Sequence, residues 1–350
     1  MIWLSWRQFR TQALVVAGLL IVLAIALAIN GTHLLHLYDT TVANCAQHND
    51  CLSARALFQA EAKWHNALNL LVLAVPALLG AFWGAPLVAR ELETRTNLLA
   101  WTQSVTRSRW FLVKVAVTGA ASVITAGLLS LMVTWWASPH DRLVDSPYSL
   151  FDQRDIVPIA YAFFAFALGV ALGTIIRRTL PAMAATIAGY AVARYLVTEY
   201  VRPNVIAPLK ATLPFGLQLT GTGIGATIGP PQPTDLVVSD QIATGTGKLV
   251  GENWENLGQF NLKGNGTAVF TGVGRCPNRI PVSAGPHWHT IPATQAALQR
   301  CIDSFHLRQV IIYQPASRYW PLQWSEAAIF LGGAVSLIAV GLWWIRKHIA

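Results

Sequence analysis

The sequence predicts a membrane-embedded all-α bundle of six transmembrane helices, with an extracellular α+β domain inserted between helices five and six. Three observations predict it. The 350 residues are 54% hydrophobic and only 12% charged, with a mean hydropathy of +0.45, which lies outside the range of ordinary soluble domains. Six apolar runs each approach the roughly 20 residues that a spanning helix needs. Between the fifth and sixth runs lies a long polar stretch, Arg202 to Glu326, with strand-like patterning.

At the start, Met1 to Gln12 carries Trp3, Trp6 and Phe9 with Arg7 and Arg10, which suits either a short interfacial helix or an ordinary basic flank. The first run, Ala13 to Ile29, follows two arginines as a signal peptide would. It is long for the apolar core of one, so an uncleaved first helix is expected. Asn30 to Asn66 reads as an outer loop with a helical stretch at Ser53 to Trp64. The second run, Leu68 to Ala89, contains Pro76, Gly80, Gly84 and Pro86, residues that fit close helix approach or a moving gate.

Arg90 to Lys114, RELETRTNLLAWTQSVTRSRWFLVK, is polar, mixed in charge and too long for a tight turn. Leu98, Trp101 and Val105 fall on one helical face with Leu92 and Leu99 beside it, which predicts a short amphipathic helix at the membrane surface or docked into another protein. Phe111 to Ala137 is the third run, and Ser138 to Ile156 a short outer loop. Val157 to Ile176 and Leu180 to Val201 are joined by Arg177, Arg178 and Thr179, so these two helices must be antiparallel neighbours. Arg194, in the fifth run, is expected either to snorkel or to face a substrate. Beyond it, residues 216–233 read as a glycine- and proline-rich loop. Leu236 to Ser239, Gln259 to Leu262, Thr267 to Val273 and Leu307 to Tyr313 read as strands, and Pro292 opens a helix with Leu298, Ile302 and Phe305 on its buried side. Ala327 to Ile345 is the sixth run. The domain division is then 1–201, with a coupling segment at 90–109, 202–326, and 327–350.

Charge sets the expected orientation. With both termini and the 90–114 segment in the cytoplasm, the inner basic residues are Arg7, Arg10, Arg90, Arg95, Arg107, Arg109, Lys114, Arg177, Arg178, Arg346 and Lys347. Against these eleven stand Glu91 and Glu93, so the whole formal charge of +9 falls on one side, the pattern of the positive-inside rule. The basic character therefore reports topology, and no surface gathers cations with aromatic platforms for a nucleic acid. Cys45, Cys51, Cys276 and Cys301 all fall outside in this topology, where disulfides persist. Of three possible pairings, the local ones, Cys45 with Cys51 and Cys276 with Cys301, are favoured. The second would be worth roughly 3 kcal/mol by loop closure.

Missing chemistry narrows the function. The sequence has no G-x-x-x-x-G-K-[ST] run, no H-E-x-x-H and no G-x-S-x-G, and His287 with His289 lacks further ligands for a metal. No acidic residue lies mid-span, where ion-coupled carriers keep their titrating groups. No catalytic residue and no cofactor is expected on this chain.

Arg90, Glu91, Glu93, Thr94 and Leu98, followed by Thr106, Arg107 and Lys114, resemble the segment between the second and third spans of permease subunits of type-2 ABC exporters. FWGAPLVARELE, AWTQSVTRSRW and QPASRYWPLQW resemble a group of these from high-GC Gram-positive bacteria. The resemblance implies a six-span cell-membrane permease with cytoplasmic termini, pairing with a second permease chain as a homodimer, whose separate ATPase subunit holds ATP and Mg. It implies an ATPase-coupling role for Glu91, Glu93, Thr94, Leu98, Trp101, Val105 and Arg107, and outward movement of an amphipathic drug, peptide or lipid-like substrate. Family members commonly have glycine where this chain has Arg95 and proline near Val105. The alternative reading is a cell-envelope sensor whose outer domain binds a ligand.

Overall fold

The computed structural model describes residues 2–37, 39–40, 63–95, 106–144, 146–214, 217–220, 223–226, 232, 234–245, 247, 249–251, 258–263, 267–272, 280–281, 296, 300, 303–304 and 306–348. The chain divides into a helical unit, Met1–Val205 with Tyr319–Ala350, and a second unit, Ile206–Arg318.

The helical unit runs α1 (Ile2–Leu37), α2 (Lys63–Leu79), a π-helical turn (Gly80–Gly84), α3 (Ala85–Glu93), α4 (Arg107–Val144), a 3-10 turn (Pro147–Leu150), α5 (Val157–Ile176), α6 (Thr179–Leu196), a second π-helical turn (Val197–Val201), α7 (Arg202–Val205) and α8 (Tyr319–His348). Six stretches of these are long and apolar enough to cross a membrane: Ala13–Leu37, Leu70–Glu93, Arg107–Ala137, Val157–Ile176, Thr179–Val205 and Ala316–His348. We number these spans one to six. Five of the six overrun the apolar runs legible in the sequence, because extending a helix past the hydrocarbon keeps its backbone polar groups paired. For the same reason residues 138–156, expected as a loop, are helical through Val144 and take a 3-10 turn at Pro147–Leu150. The unit boundaries fall at 205/206 and 318/319, so that Arg202 and Glu326, which form an ion pair, both belong to the helical unit.

Span four is the central helix. Val157, Ala160, Tyr161, Ala162, Ala165, Phe166, Ala167 and Val170 are all buried, and its many small residues let neighbours approach. Span one packs beside span three, where Trp136 Nε1 donates to Asn30 Oδ1 at 3.0 Å, while Leu14, Leu19, Val22 and Ile29 are exposed in the manner of a lipid-facing helix.

Spans two and four meet backbone to backbone. A Cβ built on Gly169 would lie 2.3 Å from the Gly80 carbonyl oxygen, and one on Gly80 would lie 2.4 Å from the Ala165 oxygen. Of the two roles the sequence leaves open for the glycines of span two, close approach is the one seen. The π-helical turn that makes it possible has a sequence cause. Ala85 N–H bonds to Gly80 O across five residues, and Pro86 follows immediately. A proline ring clashes with the carbonyl four residues back, and widening the preceding turn relieves the clash. The π turn in span five has the same form: Arg202 N–H bonds to Val197 O, and Pro203 follows.

In the second unit, β1 (Leu209–Pro214), β2 (Leu217–Thr220), β3 (Gly223–Ala226), β4 (Leu236–Ala243), β5 (Leu249–Gly251), β6 (Gly258–Lys263), β7 (Thr267–Gly272), β8 (Ile280–Pro281) and β9 (Arg308–Gln314) form three antiparallel sheets, ordered β1-β9-β4-β5, β2-β3 and β6-β7-β8. Ile311 is fully buried on the central strand β9. The stretch 216–233, expected as a loop, contains the β2-β3 hairpin: its glycines sit in a paired ladder, where backbone bonding and not side-chain propensity holds them. Of the helix expected after Pro292, Ala296, Arg300 and Asp303 are helical, whereas Leu298, Ile302 and Phe305 lie outside the described residues. Cys45, Cys51, Cys276, Cys301, His287 and His289 also lie outside them.

Candidate functional site

The 90–114 segment is less of a loop than its polarity suggests. Arg90 to Glu93 complete the helix of span two, and Arg107 to Lys114 begin that of span three. Thr94 caps the first, its N–H bonding to Arg90 O at 3.0 Å and its hydroxyl donating to the same oxygen at 2.8 Å. Thr106 caps the second, accepting on Oγ1 from Arg109 N–H at 3.4 Å. Leu98, Trp101 and Val105, on which the docking face was read, lie outside the described residues; Arg107 is the first residue of its helix.

Arg95 follows the cap with φ 57°, the left-handed conformation that usually ends a helix on glycine. A non-glycine residue there costs about 1–2 kcal/mol. Arg95→Gly is therefore expected to raise stability by about 1 kcal/mol, read as a higher melting temperature of the purified protein in detergent.

The two acidic residues of the segment turn toward the bundle. Glu91 forms an ion pair with Lys114, whose residue is only 6% exposed and whose ammonium also sits 5.0 Å from the Trp110 ring centre. Glu93 Oε2 accepts from both the backbone N–H of Thr179 at 3.0 Å and its hydroxyl at 2.7 Å, so a carboxylate from span two caps the first turn of span five, where helix N-termini favour negative charge. Arg177, in the left-handed conformation at φ 57°, closes the four–five hairpin and donates to the His348 carbonyl at 2.9 Å. Arg346 Nε reaches Ser108 Oγ at 2.8 Å.

These contacts gather the ends of spans two through six into one polar layer, from which the 94–106 connection leaves. Lys114, Thr179, Ser108 and Arg346 are its unforeseen members. Lys114 was the most legible of them: a lysine within the apolar run FLVKVAV demands a counter-ion, and the nearest acids in sequence are Glu91 and Glu93. An ion pair thus joins the two flanks of the connection, span two to span three, and a helix cap joins span two to span five. Among the described residues no group of three or more His, Cys, Asp or Glu is placed to hold a metal ion.

A model of the ABC-2 membrane transporter related family matches residues 17–202, more than half of the chain. The chain belongs to this family. No curated protein and no solved structure matches it. As an ABC-2 related protein with six apolar helices it is a multi-pass membrane permease component of an ABC transporter, and the family implies an ABC ATPase as partner. The matched region takes in the polar layer apart from its span-six members and leaves out the second unit.

Proposed function

We propose that the chain is the permease of an ABC exporter in the cell membrane, carrying an amphipathic drug, peptide or lipid-like molecule outward. Both termini and the 94–106 connection are cytoplasmic, and Ile206–Arg318 is extracellular. The observation that carries this reading is the polar layer: Glu91–Lys114 binds the two flanks of the connection to each other, and Glu93–Thr179 binds the first of them to span five, so a push on that connection moves the bundle. The crowding of Arg90, Arg95, Arg107, Arg109, Arg177, Arg178, Arg346 and Lys347 at this end supports a cytoplasmic placement. ATP and Mg belong to the partner subunit, whose closure presses on the face of Leu98, Trp101 and Val105. Two permease chains, a homodimer, enclose the pathway. Cys45 with Cys51 and Cys276 with Cys301 form disulfides on the outer side.

The test is purification of the tagged permease with the proteins expressed beside it. A soluble ATPase with a P-loop should co-purify, and Trp101→Ala should leave the complex intact while abolishing the effect of the permease on its ATP hydrolysis. Recovery of a signalling protein in place of an ATPase would favour the sensor reading. Labelling of a cysteine at Ser104 by an impermeant reagent in intact cells would invert the topology.

A further inference from the structure

The end of the bundle opposite the polar layer holds a second set of charges. Arg202, at the end of span five, grips Glu326 of span six with Nε to Oε2 at 2.7 Å and Nη2 to Oε1 at 2.8 Å, and it also bonds Asp152 in the turn before span four. Arg194, two turns earlier, reaches the other Asp152 oxygen at 3.0 Å. Its charge is met inside the protein. The Tyr161 hydroxyl of span four donates to Glu326 and lies 3.1 Å from Asp152 Oδ1. Glu326 is 3% exposed. Burial pushes the Asp152 carboxyl up, but Arg202 and Arg194 outweigh this and hold it below the usual carboxylate range, so two cations and two anions balance.

Ion networks this buried commonly add less stability than apolar packing of the same volume, which suits a contact that must part. The partners divide into a fixed side and a mobile side. Span six is tied to the turn before span four independently of the arginines: Gln323 donates to Phe151 O at 2.9 Å and accepts from Val157 N–H at 3.1 Å, and Tyr319 bonds Asp155. Arg202 instead hangs beyond the π-helical turn Val197–Val201, in which no residue is buried. That turn sets its register. Eight residues of regular α-helix would leave Arg194 and Arg202 about 80° apart, whereas the one extra residue absorbed by a π turn brings them within about 20°.

We propose that residues 197–201 interconvert between π and α geometry during transport, rotating Arg202 on and off Glu326 and so opening this end of the bundle, while Arg194 stays on Asp152. The proposal deepens the permease reading and rests on it. Once Arg202 leaves, Glu326 retains the Tyr161 hydroxyl, and the sixth span keeps its bonds through Gln323 and Tyr319. Arg202 is thus a positioning residue that decides whether span five is closed against span six.

The test is hydrogen exchange on the permease–ATPase complex in lipid nanodiscs, with and without a non-hydrolysable ATP analogue. In the unmutated complex the nucleotide should speed exchange at 197–205 by about tenfold and leave the fourth span unchanged. Glu326→Gln and Pro203→Ala should show the fast exchange without nucleotide, and the exchanged pair Arg202→Glu with Glu326→Arg should restore the slow form. Exchange at 197–205 that ignores nucleotide in the unmutated complex, or that stays slow in both single variants, overturns the proposal. If no ATPase is recovered, the permease reading fails by itself. Exchange on the permease alone then decides the latch: fast in Glu326→Gln and slow again in the exchanged pair if it exists, the same in all three if it does not.

Discussion

Gly169→Ala is expected to prevent the helical unit from packing, although it adds a single methyl group to a membrane span. The new Cβ would lie 2.3 Å from Gly80 O, 2.7 Å from Ala85 N and 3.1 Å from Gly84 C. All three are backbone atoms, so no side-chain rotation relieves the contact, and the spans must separate along their whole interface. Overpacking a core costs typically about 1–3 kcal/mol, and an obstacle made of backbone belongs at or above the top of that range. The same methyl at Gly332, which has nothing within 4 Å, should be neutral. Size-exclusion of fluorescent fusions in mild detergent separates the two: Gly332→Ala runs as a single peak, and Gly169→Ala aggregates or melts well below it. A Gly169→Ala protein as stable as its parent would mean that spans two and four do not pack at this distance.

That weld shows what the sequence makes legible and what it withholds. The existence of six spans follows from composition, since a run of twenty apolar residues has few other stable fates. The small residues of span two announce close packing, but nothing in their spacing names span four as the partner; that choice depends on Gly169 and Gly173, some ninety residues away. The π turns were legible in principle, each ending just before an X-Pro pair, Ala85-Pro86 and Arg202-Pro203. The β2-β3 hairpin was masked by glycines that local propensity assigns to loops. Within the polar layer, Glu91 and Glu93 stood out because they are the acids in a basic segment. Their partners were hidden for different reasons: Lys114 counted as an inner cation and as part of the segment's resemblance but with no partner assigned, and Thr179 carries no charge to advertise it.

Glu91→Gln should destabilise the protein by about 3–5 kcal/mol, because it takes away the carboxylate that the buried Lys114 ammonium is paired with. The two side chains are 17% and 7% exposed, so water offers little compensation. Reversal to Glu91→Lys is worse, setting two ammonium groups together, and it should fail at assembly. Replacing both partners, Glu91→Leu with Lys114→Met, removes the charges together and should return stability to within about 1 kcal/mol of the parent or above it, as buried ion pairs exchanged for apolar residues commonly do. Thermal melting of the four proteins in one detergent checks the series. Its diagnostic feature is the non-additivity: a double variant more stable than Glu91→Gln means that the cost of the single change lies in a buried ammonium deprived of Glu91. The double variant then becomes the instrument for the coupling question, since it keeps Glu93 on Thr179 and lacks the ion pair between spans two and three.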